Sequence, residues 1–375
     1  MDLSKYPRNT TVIDLSRECI THINWQGCPV GLHTIDLSGN EIYEMNWVGC
    51  PDGLHTIDFM NNEINEMNWG GAPNGLHTVD LMNNEINKMN WEGCPESLRI
   101  IDLNSNQIND INWKECPVGL HKIYLSRNRI NEINWEGCPK GLHTIDLYDN
   151  EIEVMNWEGC PIGLRIINLE SNMINEMNWI NCRDGLHLEK MYLGRNNISK
   201  MNLEGTPKGL LSIDISNNEI YEMNWEGCPV GLHTIRMGWN KIDDINWEGA
   251  PKFLHTIDLD NNRINYINWV ECPESLHTID LSGNILEGGV NWEGSPKGLS
   301  AINLGYISNS INWKGCSLDI KELYCYNVDY EEYVAKKKAA MVITEACHNW
   351  VWKPRCNDGT IGIRPRLDMK ELGLV

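Results

Sequence analysis

Tryptophan recurs along this chain at a fixed interval. Trp25, Trp47, Trp69, Trp91, Trp113, Trp135, Trp157 and Trp179 stand 22 residues apart. Leu203 takes the position after a two-residue insertion, the spacing resumes at Trp225, Trp247 and Trp269, slips by one to Trp292, and recovers at Trp313, giving fourteen units. A unit this short cannot bury an apolar face by itself, so each must be covered by its neighbours. A chain of 375 residues would ordinarily suggest two or three globular domains. The period points instead to one elongated stack.

The unit from Leu32 to Gly53 reads LHTIDLSGNEIYEMNWVGCPDG. In TIDLS the side chains alternate, with Ile35 and Leu37 turned inward and Thr34 and Asp36 turned outward, which is the two-residue period of a strand. One strand per unit predicts a parallel sheet. Pro and Gly in the CPxG segment break any helix there, so the opposite side should be extended or turn-like. The tryptophans should form a stacked interior spine whose indole N–H groups find carbonyls.

Leu32, Ile35, Leu37, Asn40 and Ile42 spell LxxIxLxxNxI. This pattern, repeated in register over roughly residues 10–316, resembles the leucine-rich-repeat family, with its LxxLxLxxNxL signature. The back half, IxxMNWEGCPxG, departs from the commoner consensus. Its Pro-x-Gly-Leu lead-in resembles the short repeats of bacterial effector proteins. The combination as a whole is similar to repeat proteins encoded by giant DNA viruses of amoebae. The resemblance implies an α/β-type repeat, mostly β: a horseshoe with a parallel concave sheet. It also implies that the asparagine column headed by Asn40 and running to Asn284 turns inward to bond backbone of its own and adjacent coils. A second asparagine precedes every tryptophan position, from Asn24 to Asn312. A second interior ladder is the preferred expectation for it, and a solvent-facing turn residue the alternative.

Residues 1–31 read as an N-terminal capping repeat, with Glu18 where asparagine belongs, and 32–316 as the solenoid. Residues 317–375 read as a C-terminal cap with an appended segment. There IKELYCYNV (320–328) suggests a last partial strand, and residues 329–352 a helix over the open end.

The formal net charge is −21. Such a polyanion is repelled by nucleic acid and by acidic lipid, and favours basic partners. No apolar run approaches the length of a membrane span, and MDLSKYPRNTT has no signal-peptide core. A cytoplasmic location follows as an expectation (host cytoplasm, for a viral protein), with the fourteen cysteines reduced.

Ten of those cysteines form one column, Cys28, Cys50, Cys94, Cys116, Cys138, Cys160, Cys182, Cys228, Cys272 and Cys316, which Ala72, Thr206, Ala250 and Ser295 also occupy. A disulfide or metal ladder would not accept alanine freely; a small packed site does. Cys325, Cys347, His348 and Cys356 lack a CxxC pair, so they are a weak zinc signal and chance accounts for them. No metal or cofactor is expected. Nine histidines, His33, His55, His77, His121, His143, His187, His233, His255 and His277, also read as a column, with strand-edge bonding as the plain expectation and pH sensitivity as the sharper one. Aspartates from Asp14 to Asp280 project onto the concave face, where like charges across strands need compensation. A solvated acidic face is expected there, ahead of a divalent-cation ladder.

Departures from the outward consensus are the most informative positions. Where most units carry Thr, Asp, Ser or Asn, this chain has Lys122, Tyr124, Arg127, Tyr148, Asp149, Glu170, Tyr192, Arg195, Arg236 and Trp239. Tyr, Trp and Arg are the types enriched at binding hot spots. A non-enzymatic protein-interaction module, binding on the acidic concave face through these residues, is therefore the leading expectation. A recognition arm of an effector or ubiquitin-ligase-type enzyme, and a structural or virion component, are the alternatives. No phosphate loop, nucleophile elbow or metalloprotease helix is present in the sequence.

Overall fold

The computed structural model describes residues 3–305 and 320–325. These build one fifteen-stranded sheet, running from Val12–Asp14 at one end to Glu322–Cys325 at the other, in which every strand is parallel to its neighbours and sequence order is spatial order. Register is by equivalent position, so Thr34, Ile35 and Asp36 lie beside Thr56, Ile57 and Asp58. The bonding continues past the three-residue strands: Leu37 N–H reaches Asp58 O and Gly39 N–H reaches Met60 O, both at 2.8 Å.

The α/β expectation is corrected. Among the described residues there is no helix, and the solenoid is all-parallel β. The returning half of each coil cannot supply one. Cys50 N–H bonds Trp47 O and Leu54 N–H bonds Pro51 O, closing two tight turns within eight residues. Gly49 between them has φ +86°, a conformation glycine adopts at no steric cost, and Pro51 has no N–H to give. The expected helix over 329–352 lies outside the described residues.

Each coil contributes one layer to a continuous core. Leu32, Ile35, Leu37, Ile42, Met45 and Trp47 are all buried, and their counterparts repeat along the chain. The indoles stack at 6.3 Å between Trp47 and Trp69 and 6.5 Å between Trp69 and Trp91, nearly parallel. From Trp25 to Trp247 the indole N–H donates to the carbonyl of the asparagine that precedes the next tryptophan position, as Trp47 does to Asn68 O at 2.7 Å.

The buried asparagines bind one coil to the next. Asn62 Nδ2 donates to Leu37 O of the preceding coil and Phe59 O of its own, while its Oδ1 accepts Ile42 N–H, all within 3.0 Å. The same set recurs down to Asn284. The second asparagine behaves differently. Asn68, Asn90 and Asn134 are exposed, so the expected second interior ladder is not formed. Its Oδ1 instead accepts the N–H two residues on, as at Asn134 to Glu136, and several of its amides reach a carbonyl of the preceding coil, as Asn46 reaches Ile23 O at 3.1 Å.

Two irregularities follow from the sequence breaks. The insertion places Leu186 and His187 before the strand Lys190–Tyr192, so Glu189, not His187, bonds Arg165 O at the head of that strand. His187 therefore leaves the histidine column. The one-residue slip before Trp292 lets Gly289–Val290 pair with Tyr266–Ile267 in a small second sheet, and the indole N–H of Trp269 is left buried without a partner.

Asp14, Asp36, Asp58, Asp80 and Asp102 lie directly beside one another on five successive strands. Each carboxylate accepts the N–H two residues on, as Asp80 does from Met82 at 2.8 Å. That bond offsets part of the repulsion but leaves the charge partly buried. Burial raises the carboxyls of Asp58, Asp80 and Asp102 above their ordinary range, the last to about 6, and neighbouring aspartates add to the effect.

Two stability measurements follow. Asn128→Ala removes donors to Leu103 O and Leu125 O and the acceptor of Ile108 N–H, stranding buried backbone groups of two coils. It should cost roughly 2–4 kcal/mol in urea unfolding, whereas Asn134→Ala, at the exposed turn, should cost about 1 kcal/mol or less. Asp102→Asn keeps an acceptor for the Asn104 N–H, as Asn168 already does for Glu170 N–H. A folded pKa above the unfolded one means that the charged form costs stability above pH 6 and that this cost fades as pH falls toward 4. Asp102→Asn should therefore stabilise the chain by about 1 kcal/mol at pH 8, after discounting for solvent screening, with the gain gone by about pH 4. Burial lowers the pKa of His55, His143 and His255, which acts in the opposite sense. Both proteins carry these histidines, so they cancel in the difference. An unchanged gain across that range would show that the ladder charge is not the cause.

Candidate functional site

Four outward columns cross the sheet face. In the unit of Leu32 they are His33, Thr34, Asp36 and Ser38, with Gly39 at the rim where the strand ends. The rim residue has positive φ in coil after coil: Gly39, Asn61, Asn83, Ser105, Arg127, Asp149, Ser171, Arg195, Asn217, Trp239, Asn261 and Gly283. Left-handed backbone is tolerated by glycine and asparagine and is strained for a bulky side chain.

The residues singled out by sequence occupy three of these columns and the rim. Lys122 stands at the Thr34 position. Tyr124, Tyr192 and Arg236 replace aspartates of the ladder, Tyr124 lying between Asp102 and Asp146, and Arg236 between Asp214 and Asp258. Tyr148 and Glu170 are at the Ser38 position. Arg127, Asp149, Arg195 and Trp239 are at the rim, where Trp239 is 58% exposed. All ten lie within six neighbouring strands, from Lys122–Tyr124 to Thr234–Arg236, a span of about 24 Å at ordinary strand spacing. The strand Ser212–Asp214 contributes none of them. Ion pairs join Arg127 to Asp149 at 3.8 Å, Arg195 to Glu170 at 3.6 Å and Arg236 to Asp214 at 3.7 Å. These exposed pairs fix side-chain directions more than they stabilise the fold.

Sequence reasoning missed Lys190 and Leu211. Lys190 lies beside Ser212 in the Thr34 column, and Leu211 takes the histidine position between Glu189 and His233. The inserted pair at Leu186 and His187 hid both, because reading His187 as the column residue puts the next positions out of register. Tyr192 and Arg236 border the same hollow as these two residues.

The histidine column forms stacks, interrupted by Arg99, Arg165, Glu189 and Leu211. His33, His55 and His77 stack at 4.6 and 3.9 Å, His255 and His277 stack at 4.5 Å, and His233 lies 4.1 Å from His255 with its ring tilted by 42°. Their main chain carries cross-coil bonds, with His33 O accepting both His55 and Thr56 N–H. Arg99 O and Glu189 O accept the same pairs of N–H groups, so these bonds belong to the position and not to histidine. The column cysteines from Cys28 to Cys272 are free thiols packed in or against the core, whereas Cys19 is exposed. Burial pushes Cys28 and Cys182 up to about 11 and Cys160 and Cys228 up to about 12, which disfavours the nucleophilic thiolate. No cluster of three metal-ligating side chains is present among the described residues, and they contain no helix long and apolar enough to cross a membrane.

No protein-family model matches the sequence, and no curated protein does. Solved structures match the fold. A Toll–Spatzle complex of Drosophila aligns with a TM-score of 0.66 at 19% identity, over 80% of this chain and 44% of that one. The functional domain of InlJ from Listeria monocytogenes, which includes a cysteine ladder, aligns at 0.57 and 14% identity, over 80% and 69%. YopM from Yersinia enterocolitica aligns at 0.55 and 18% identity, over 79% and 64%. At such identities the likeness is one of fold: the chain is a parallel solenoid with a period of about 22 residues whose fold resembles that of these solved structures.

Proposed function

We propose that this chain is a non-catalytic protein-interaction module that receives its partner on the sheet face, at the patch from Lys122 to Trp239. The observation that carries this reading is Trp239. An exposed tryptophan in left-handed backbone, with φ 56°, costs stability where glycine or asparagine would serve the coil better. Nothing in the repeat requires it. Tyr124 and Tyr192 likewise replace aspartates whose ladder bonds the fold uses elsewhere. Large aromatic side chains on a rigid sheet offer contact area at little entropic cost. The acidic ladder on either side, Asp14 to Asp102 and Asp258 to Asp280, supplies a field that steers approach rather than holding a partner. Toll, similar in fold, forms a complex with Spatzle, which is in keeping with a binding role.

The test restores the repeat consensus rather than truncating it. The triple variant Tyr124→Asp, Tyr148→Ser, Trp239→Asn should fold and melt no lower than the parent, with Trp239→Asn alone stabilising by about 1 kcal/mol. In a comparative pull-down from cell lysate, proteins recovered by the parent should be lost to this variant and kept by a control carrying Val48→Ala and Val270→Ala on the turn side. Equal recovery by parent and triple variant would remove the sheet face as the binding surface.

A further inference from the structure

Resting on that reading of the sheet face, we infer that the hollow between Tyr192 and Arg236 accepts an acidic side chain of a protein partner flanked by an aliphatic one. Lys190, Tyr192, Leu211, Ser212, His233, Thr234 and Arg236 line it. Four of the seven depart from their column consensus. Lys190 stands where threonine is usual, Tyr192 and Arg236 where aspartate is usual, and Leu211 where histidine is usual. The floor keeps the small consensus residues Ser212 and Thr234. Departures scattered by drift would not gather around one depression spanning three adjacent strands.

The chemistry of the change is consistent. In a chain of net charge −21, two ladder aspartates have been replaced and two cations added at one place. Lys190 is exposed, and no carboxylate of the described residues pairs with it. The nearest acidic neighbour in sequence, Glu189, pairs with Arg165 instead. Arg236 has a carboxylate only at 3.7 Å, that of Asp214, whose Oδ1 already accepts the N–H and hydroxyl of Ser216. Lys190 and Arg236 stand two strands apart, about 10 Å, so their long side chains can close on one carboxylate from opposite sides. A guanidinium meets a carboxylate with paired, charge-assisted hydrogen bonds. Leu211, 47% exposed, and the ring of Tyr192 offer apolar surface beside that point, where an aliphatic neighbour would be held. A basic partner segment is drawn to the ladder ends; this hollow selects the opposite charge.

The experiment is a random peptide display library panned on the whole chain, followed by fluorescence-polarisation titration of the enriched peptides. Enriched sequences should carry Asp or Glu next to Leu, Ile, Val or Met. Their binding should weaken about tenfold or more on the double variant Lys190→Thr, Arg236→Asp, and should weaken with rising salt. Both substitutions install repeat-consensus residues, so the fold is kept, and a thermal melt checks it. Val48→Ala, on the turn side, should leave the affinity unchanged. The inference falls if the library yields basic or purely aromatic sequences, if nothing is enriched over the parental background, or if acidic peptides bind parent and double variant alike. Self-association of the chain that the double variant abolishes would assign the hollow to a second copy and also overturn it. Lysate capture lost in the triple aromatic variant alongside any of these results would leave the sheet face standing as the interface and remove only the acidic specificity.

Discussion

Everything in this molecule depends on satisfying backbone polar groups between coils that have almost no regular structure of their own. Three strand residues per coil cannot do this. The buried asparagine does: its amide donates to two carbonyls and its oxygen accepts a main-chain N–H, linking successive coils at a turn where no strand partner is available. An unpaired buried amide costs about 1–3 kcal/mol, and the deficit would recur in every coil. The asparagine side chain is the shortest that can both donate twice and accept at that reach, which explains why the column runs unbroken from Asn40 to Asn284.

The tryptophan spine complements this on the opposite wall. Its indole N–H needs a carbonyl one coil onward, and the carbonyl comes from the second asparagine, held in place by its own turn. The pair Asn-Trp is therefore one device spread over two coils. Trp269 shows the dependence by default: where the unit lengthens by one residue, its N–H goes unsatisfied. Leu203, which has no side-chain N–H to place, replaces tryptophan in the coil after the insertion, where Thr206 rather than cysteine follows and its hydroxyl bonds Leu203 O.

Much of this was legible from residue spacing. The period located the strands, the alternation of Thr34, Ile35 and Asp36 set their faces, and the alanines in the cysteine column marked it as packing. Two things were not. The α/β class implied by family resemblance failed against what the CPxG residues themselves indicated, since glycine and proline, as at Gly49 and Pro51, divide each return segment into turns, a local constraint that outweighs analogy. The second asparagine column was misplaced because recurrence in every unit says only that an environment repeats, not that it is interior; a turn at the surface repeats as faithfully as a core. The site was legible in part. Exposed aromatic and arginine departures stood out by type, but Lys190 and Leu211 were masked by the inserted pair, since a two-residue shift preserves the strand alternation and conceals the change of column.

The location of the departures follows from the same constraint. Interior positions are fixed twice, by packing against the coil before and the coil after, so a change there must be accommodated in both. Rim positions are restricted by positive φ, and strand-face positions only by cross-strand neighbours worth a fraction of a kcal/mol each. Variation is thus cheapest on the sheet face, which makes ordinary substitutions there uninformative one by one. What discriminates is a substitution that works against even these weak constraints. Trp239 and Arg195 accept left-handed backbone, and Arg236 removes a carboxylate from a ladder in which each one holds its own turn. Of these, Arg236 also borders the same hollow as Lys190 and Leu211, residues chosen by geometry and not by type. Two independent criteria, local cost and spatial convergence, meet at Arg236 on a surface that the repeat would otherwise have made uniform.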